Sequence, residues 1–257
     1  MIGTEEKRAR FRALHASGCF LLPNPWDLGS LRRLERADFA AVATTSAGLA
    51  WSLGKEDGEV SLDEVLGHLG SLCPATDLPI NADFEDGYAE DAAGVAANVT
   101  LAMAAGAAGL SIEDQRGGRL YETEAAVERL AAARAAIDRA GGGVLVGRAE
   151  GILLGTATID DTIARLVAYA QAGADCLYAP CVTDLGAIAE IVAAVAPKPV
   201  NVLLWGEAMR VADLARLGVR RVSLGGALAA SAWKGFDAAV RLLVAEGRVA
   251  PRGAGFG

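Results

Sequence analysis

The sequence predicts an α/β chain folded as a (β/α)8 TIM barrel, on three observations. Short apolar runs alternate with segments of helical period eight times, at about 30 residues per unit over about 250 residues. Several of these runs end in carboxylates or other polar groups, at the end where parallel barrels carry their sites. No GxGxxG and no P-loop opens a helix, which disfavours an open doubly wound sheet. With no linker, repeat or low-complexity block, residues 1–257 are expected to form a single domain.

Residues 4–17 alternate charged and apolar groups at helical spacing and predict a leading helix. The first strand is Cys19–Leu22, stopped by Pro23-Asn-Pro25, and Asp27 caps a helix running to about Arg36. Phe39–Thr44 is the second strand, followed by Thr45-Ser46-Ala47-Gly48 and a loop carrying Gly54, Asp57 and Gly58. Ser61 with Glu64 three residues on forms a capping box for the next helix. Leu78–Ala82 is the third strand and 91–105 its helix. Gly109–Ile112 is the fourth, followed by a loop over 115–119 and a helix over 122–139. Val144–Gly147 leads to a helix started by Asp160 or Asp161, and Cys176–Ala179 to a helix over 184–195. Pro199–Leu204 leads to a helix over 207–216, and Arg221–Leu224 to a last helix ending near Glu246. Residues 251–257, rich in glycine, are expected to be a loose tail.

Composition narrows the function. The chain is 53% hydrophobic and 22% charged, enough apolar residues for a large core. A net charge of −8 without a basic cluster argues against nucleic acid or an anionic membrane surface as a partner. No 18-residue apolar run exists, and the charged N-terminus lacks the apolar core of a signal peptide. Four cysteines without CxxC spacing read as free thiols in a cytoplasmic protein. With only His15 and His68, a histidine-rich zinc site or a Ser-His-Asp triad is disfavoured. A metal would then be held by oxygen, which favours Mg2+, with Mn2+ as the alternative.

The organising stretch is Ile80-Asn-Ala-Asp-Phe-Glu-Asp-Gly-Tyr88, an apolar strand ending in Asp83, Glu85 and Asp86. A second spoke, Gly109–Gln115, ends in Glu113 and Asp114. Five carboxylates at two neighbouring strand ends repel one another unless a cation is shared. Acids in such places also cap helices, and Asp86 and Asp114 suit that role or one behind the metal. The fifth strand adds Arg148 and Glu150, and the loop after the second adds Asp57. A small acid would complete the set, with Mg2+ chelated by its two oxygens, Arg148 on its carboxylate, and backbone N–H groups of the 46–48 turn at its other end.

These motifs resemble those of the isocitrate lyase / phosphoenolpyruvate mutase superfamily, including its 2-methylisocitrate lyase-like and carboxyphosphonoenolpyruvate phosphonomutase-like members. The likeness runs through Pro23-Asn-Pro-Trp-Asp27, Thr45-Ser-Ala-Gly48, Gly54 with Asp57, Asp83-Phe-Glu-Asp-Gly-Tyr88, Ile112-Glu-Asp-Gln115 and Gly147-Arg-Ala-Glu150. The resemblance implies Mg2+ dependence, a 2-oxo or 2-hydroxy acid substrate, and a tetramer of dimers that exchange their last barrel helix, here about 226–245. By position, Asp83 resembles the direct metal ligand, and Glu85 and Glu113 the acids that hold metal-bound waters, with Asp57 in the same shell. Arg148 resembles the partner of the substrate carboxylate or enolate. Thr45, Ser46, Ala47 and Gly48 resemble the substrate-binding turn.

The sequence departs from the family's lyases where they carry Lys-Lys/Arg-Cys-Gly-His. Here the segment is Arg116-Gly-Gly-Arg-Leu-Tyr121, without the acid/base cysteine. Ala179–Thr183 and Leu203–Trp205 likewise lack the lyases' Glu and Asn. The expected function is a Mg2+-dependent lyase-type enzyme that cleaves a C–C bond of a small 2-oxo/2-hydroxy di- or tricarboxylate through an enolate, with decarboxylase and hydrolase variants open. One alternative is a P–C bond mutase or hydrolase on phosphonopyruvate-like substrates. The other is a 2-oxo acid binding protein that lost catalysis with its cysteine loop.

Overall fold

Eight parallel strands wind into a nearly closed barrel in the computed structural model, which describes residues 2–249. They are β1 (Phe20–Leu22), β2 (Val42–Ala43), β3 (Ile80–Asp83), β4 (Gly109–Glu113), β5 (Val144–Arg148), β6 (Cys176–Tyr178), β7 (Val200–Leu203) and β8 (Arg221–Ser223). The hydrogen-bonded order is β1-β8-β7-β6-β5-β4-β3-β2. The seam between β1 and β2 is bridged by Ala43 N–H to Pro23 O (3.1 Å) and by Asn24 Nδ2 to Thr44 O (2.9 Å). Pro23 and Pro25 have no N–H to give, so an asparagine side chain supplies part of the closure. Residues 251–257 lie outside the described residues.

The helices follow local chemistry. Asp27 with Ser30 boxes the start of α2 (Leu28–Arg36), which follows the leading α1 (Thr4–Leu14). A short α3 (Ser46–Ser52) precedes α4 (Leu62–Leu72), which Ser61 and Glu64 box as the sequence predicts. Asp91 caps α5 (Ala92–Ala104), α6 spans Thr123–Arg139, and α7 spans Ile159–Gln171. Asp184 caps α8 (Leu185–Val195), followed by α9 (Val211–Arg216) and α10 (Ala227–Glu246).

Three local expectations are corrected. The 45–48 segment is the start of α3, capped by Thr45, and not a turn; seven residues are too few to display a period. Thr158, with Asp161 returning the bond, caps α7 ahead of the acids expected to start it. The helix expected over 207–216 is shorter, α9 starting at Val211 after an extended Arg210 (φ −122, ψ 136). The loop after β4 is a small hairpin, Gln115–Arg116 against Arg119–Leu120, turned by Gly117 and Gly118 at φ 55 and 76.

The main core lies between barrel and helices, including Leu31, Leu69, Val99, Leu130, Leu166, Ile188 and Leu214. A second cluster with Phe11, Leu22, Ala43, Val146, Tyr178 and Leu203 fills part of the barrel interior. Helix α1 closes the N-terminal end of the barrel. Its buried Lys7 donates to Cys73 O and Thr76 O, and Arg8 to Met103 O, Ala107 O and Ala140 O. These carbonyls lie at or just past helix C-termini, where a cation meets both free lone pairs and the negative dipole end. Helix α10 is different: of its residues only Ala229 is buried, and Trp233, Phe236, Val240, Leu243 and Val244 are exposed. The four cysteines are unpaired, and no helix among the described residues is long and apolar enough to cross a membrane.

Candidate active site

Arg148, the last residue of β5, organises the C-terminal face. Its Nη1 donates to Asp83 Oδ1 at 2.8 Å and lies 2.9 Å from Glu113 Oε1; its Nε donates to Glu150 Oε1 at 2.7 Å. The three acids come from three neighbouring strand ends. Glu113 is in register with Arg148, and Asp83 with Ser111 two residues before Glu113. Burial works against the guanidinium's charge, but Glu113, Glu150 and Asp83 outweigh it and raise the Arg148 pKa. Burial likewise raises the carboxyl pKa of Glu113 and Glu150, with Arg148 opposing it. Among the described residues Arg148 Nη2 has no hydrogen-bond partner. The side chain lies over the Tyr178 ring at 5.0 Å and lines a cavity of about 160 Å³.

Asp83 is held from the other side. Its Oδ2 accepts Ser46 N–H at 3.0 Å, and its own N–H donates to Thr44 Oγ1 at 2.8 Å. Gly48 N–H goes to the Thr45 hydroxyl at 3.3 Å. Two of the three N–H groups expected for substrate are therefore bonded within the protein, while that of Ala47 has no partner among the described residues. Partial desolvation in the cleft raises the Asp57 carboxyl pKa, with the Ser46 side chain opposing it.

The acidic loop after β3 bends sharply: Glu85, Gly87 and Tyr88 all have positive φ (41, 87 and 54). Two non-glycine residues in this region cost energy that the surroundings must offset. Glu113 N–H to Glu85 O (2.7 Å) and Tyr88 Oη to Glu85 Oε1 (2.8 Å) pin the loop. Burial first, then Asp83, Asp57 and Asp86, raise the Glu85 carboxyl to about 7, against the pull of Tyr88. Asp86 lies in the wall of the outer cleft and anchors the hairpin. It accepts Arg116 Nε (2.6 Å), Tyr121 Oη (2.6 Å) and Arg129 Nη2 (3.2 Å). Asp114 likewise accepts Tyr169 Oη (2.6 Å), Arg165 Nη1 (3.1 Å) and Glu150 N–H (2.8 Å). Both are supports, as the sequence reading allowed.

Asp57, Glu85, Glu113 and Ser46 line a second, larger cleft of about 660 Å³ that shares Ser46 and Asp57 with the inner cavity. Among the described residues no three His, Cys, Asp or Glu side chains come close enough to enclose a metal ion by themselves. That is not the arrangement of a dehydrated cage. An ion at this face would therefore have to keep most of its water and touch only one or two carboxylates. The donors at hand are oxygens, and the carboxylates of Asp57, Asp83 and Glu85 repel one another, so the residues present fit such an ion.

The inner cavity also contains residues the sequence reading missed: Tyr178, Asn201, Arg221 and Ser223. Asn201 Nδ2 donates to Ser223 Oγ at 3.0 Å, and Arg221 Nε to Asn201 Oδ1 at 2.9 Å. The signal was period two: Arg221 and Ser223 flank Val222 in β8, which puts a charged and a polar side chain on one face of a buried strand. Cys181, at the cavity rim, has its thiol pKa raised by burial.

Residues 11–244 match the sequence profile of the family described as Phosphoenolpyruvate phosphomutase. The crystal structure of a protein provisionally assigned as a lyase/mutase from Burkholderia cenocepacia J2315 superimposes with a TM-score of 0.93 at 44% identity, covering 97% of this chain and 94% of that one. An uncharacterised protein of Mycobacterium tuberculosis strain H37Rv is 32% identical over 218 residues, 84% of this chain and 81% of the relative. The 2-methylisocitrate lyase of Escherichia coli K12 is 33% identical over 162 residues, 59% of this chain and 54% of that enzyme's length.

Proposed function

The chain belongs to the phosphoenolpyruvate phosphomutase family, and on that premise we propose that it is a Mg2+-dependent enzyme that cleaves a C–C bond beside the oxo group of a small 2-oxo or 2-hydroxy acid. The observation that carries this reading is Arg148. Three carboxylates, those of Glu113 and Glu150 buried and that of Asp83 partly so, fix two of its nitrogens, and the third is left for a ligand in the cavity. A guanidinium held this way does not have to reorganise when charge develops beside it. Asp83, with Glu85 and Glu113 through water, would hold Mg2+, which supplies Lewis-acid polarisation of the substrate's oxo oxygen.

The protein's own part follows from where these groups sit. Arg148 Nη2 donates to the substrate carboxylate or to the oxygen on which the electrons of the broken bond come to rest. Glu150, buried and bonded at Nε, keeps the guanidinium plane aimed. The N–H of Ala47, unpaired among the described residues and on the wall of the same cavity, is a further donor to the acid. Asp57 and Ser46 stand where inner cavity and outer cleft meet, placing them beside a leaving fragment. The hairpin with Gly117 and Gly118 walls the outer cleft and, bound through Arg116 to Asp86, limits water there.

Helix α10, bare on nearly all its surface, is best explained by the helix-exchanged dimer that the family resemblance implies. A solitary subunit would leave Trp233, Phe236 and Leu243 in water.

The test is calorimetric titration with oxalate, a planar mimic of an enolate, in Mg2+ and again in EDTA. Binding only in Mg2+ is the expected result. A turnover panel of 2-oxo and 2-hydroxy acids should then release a carbon fragment, and phosphonopyruvate should release no phosphate. Failure to bind oxalate in either condition would sink the proposal. Binding without turnover on any acid would make the chain a 2-oxo acid binding protein.

A further inference from the structure

We propose that Arg221 is a second anion-binding residue, which takes the far carboxylate of the substrate at the floor of the inner cavity and so selects dianions over monoanions. The inference rests on the reading of Arg148 given above and adds to it the chemistry of the substrate's other end.

Strand register places the two arginines in one row. Arg148 is paired with Tyr178, Tyr178 with Asn201, and Asn201 with Arg221. Register partners in a parallel sheet share a face, so all four side chains point into the barrel. At ~4.8 Å per strand the two arginines stand about 14 Å apart along the wall and reach inward from either end of that arc. Both line the same cavity. They are near enough for Arg148 to lower the Arg221 pKa, a smaller effect than that of burial.

Arg148 is matched by three carboxylates, whereas Arg221 is matched by none. Arg221 is 3% exposed, and its polar contacts are Asn201 Oδ1 (2.9 Å), Asn81 Oδ1 (3.4 Å) and His15 Nε2 (3.5 Å). His15 is neutral here. Its Nδ1 is 2.8 Å from Phe11 O, which fixes that nitrogen as the donor and leaves Nε2 a lone pair to offer Arg221. Burial lowers its pKa to about 3. Neutral partners satisfy some of the five guanidinium N–H groups but cancel none of the charge. Among the described residues Nη2 has no hydrogen-bond partner. A buried cation without a counter-ion is costly, and proteins rarely keep one unless something arrives to pair with it. The cavity is the route by which a carboxylate can arrive.

Volume limits what comes with it. The inner cavity, about 160 Å³, is on the scale of a small acid and shares Ser46 and Asp57 with the outer cleft, so the part of the substrate held between the two arginines is short and anything longer extends into that cleft. A C4 dicarboxylate with an oxygen at C2 places one carboxylate and that oxygen at Arg148 and the other carboxylate toward Arg221.

The experiment uses three probes on the full chain in Mg2+, by calorimetry. Oxalate reports the Arg148 end alone. Malate and 2-hydroxybutyrate differ only in the far carboxylate, which is a methyl group in the second. The wild type is expected to favour malate by about tenfold or more, and Arg221→Gln to bring the two within about twofold while binding oxalate as before. Arg221→Lys, which keeps the charge without the fork, is expected to fall between. An unchanged malate preference in Arg221→Gln, with oxalate still bound, overturns the inference and leaves the proposed function standing. Loss of oxalate binding by the wild type overturns both. If Arg221→Gln does not fold, a crystal structure of the wild type with malate and Mg2+ decides. A carboxylate on Arg221 upholds the inference, and a ligand that leaves Arg221 with only Asn201, Asn81 and His15 overturns it.

Discussion

Replacing Arg148 with methionine should cost the fold dearly, and the cost can be worked from its three partners. Glu150 is 1% exposed at its side chain, Glu113 8% and Asp83 15%. Methionine fills a similar volume but removes the positive charge and both hydrogen-bonding nitrogens. Breaking one buried ion pair by removing a partner costs about 3–5 kcal/mol, because the remaining charge is stranded. The three contacts share one guanidinium and do not add, so the same 3–5 kcal/mol is the expected loss for the set. For a chain of this size that is a fall in Tm of about 6–20 °C. The control is Arg116→Met. Arg116 pairs with Asp86 and with the exposed Glu90 but is itself 36% exposed, so about 1 kcal/mol is expected there.

Urea denaturation at pH 7.5 in EDTA, followed by circular dichroism, measures both variants. Repeating the Arg148→Met titration with Mg2+ should recover part of the loss, since a cation on Asp83, Glu85 and Glu113 replaces some of the missing charge. A variant within about 0.5 kcal/mol of wild type in EDTA would refute the reasoning, because it would mean that the three acids do not depend on Arg148 for neutralisation.

Asp83→Ala should leave Arg148 paired to Glu113 and Glu150, and so fold, but lose Mg2+-dependent oxalate binding by calorimetry; retained binding would remove Asp83 from the metal site. Burial lowers the pKa of His15 to about 3 and of His68 to about 4, below the unfolded value near 6.5, so the unfolded chain binds more protons between those limits. Stability should therefore be complete above about pH 6.5 and fall as pH drops, by up to about 2 kcal/mol per histidine at pH 5. His68→Gln should flatten the pH dependence of the urea midpoint by its share. Phe236→Asp should leave the subunit's fold intact and shift the assembly toward monomer in size-exclusion chromatography with light scattering; an unchanged mass would exclude α10 from the interface.

How much of this was legible in the sequence depended on whether the signal was local. Period, caps and strand-end acids are local. The barrel order, the boxes at Asp27 and Ser61, and the gathering of Asp83, Glu113 and Arg148 at one face could all be read from neighbouring residues. What could not be read was which way the same chemistry would be spent. Asp86 and Asp114 look like Asp83 and Glu113 in the sequence. Only the arrival of Arg116, Tyr121 and Arg129 at the first, and of Arg165 and Tyr169 at the second, separates supports from site. Those partners lie about thirty to fifty-five positions away, on elements whose packing no window reveals. The N–H groups of 46–48 were read as free because a seven-residue helix has no period to announce it.

Arg221 is the sharper case. In the sequence it is one of two adjacent arginines beginning a strand, and two adjacent charges read as surface. The structure splits them. Arg220 reaches outward to Gly18 O, and Arg221 turns inward among asparagines. Strand alternation requires that one of any adjacent pair face the barrel interior, so the inward position was decided by register with Asn201 and Phe20. A one-residue slip of β8 would bury Arg220 in its place and send Ser223 outward, away from Asn201. The polar row from Arg148 to Arg221 and the register of β8 therefore specify each other. A substitution that disturbs the row at Asn201 should loosen the barrel wall as well as the cavity it lines.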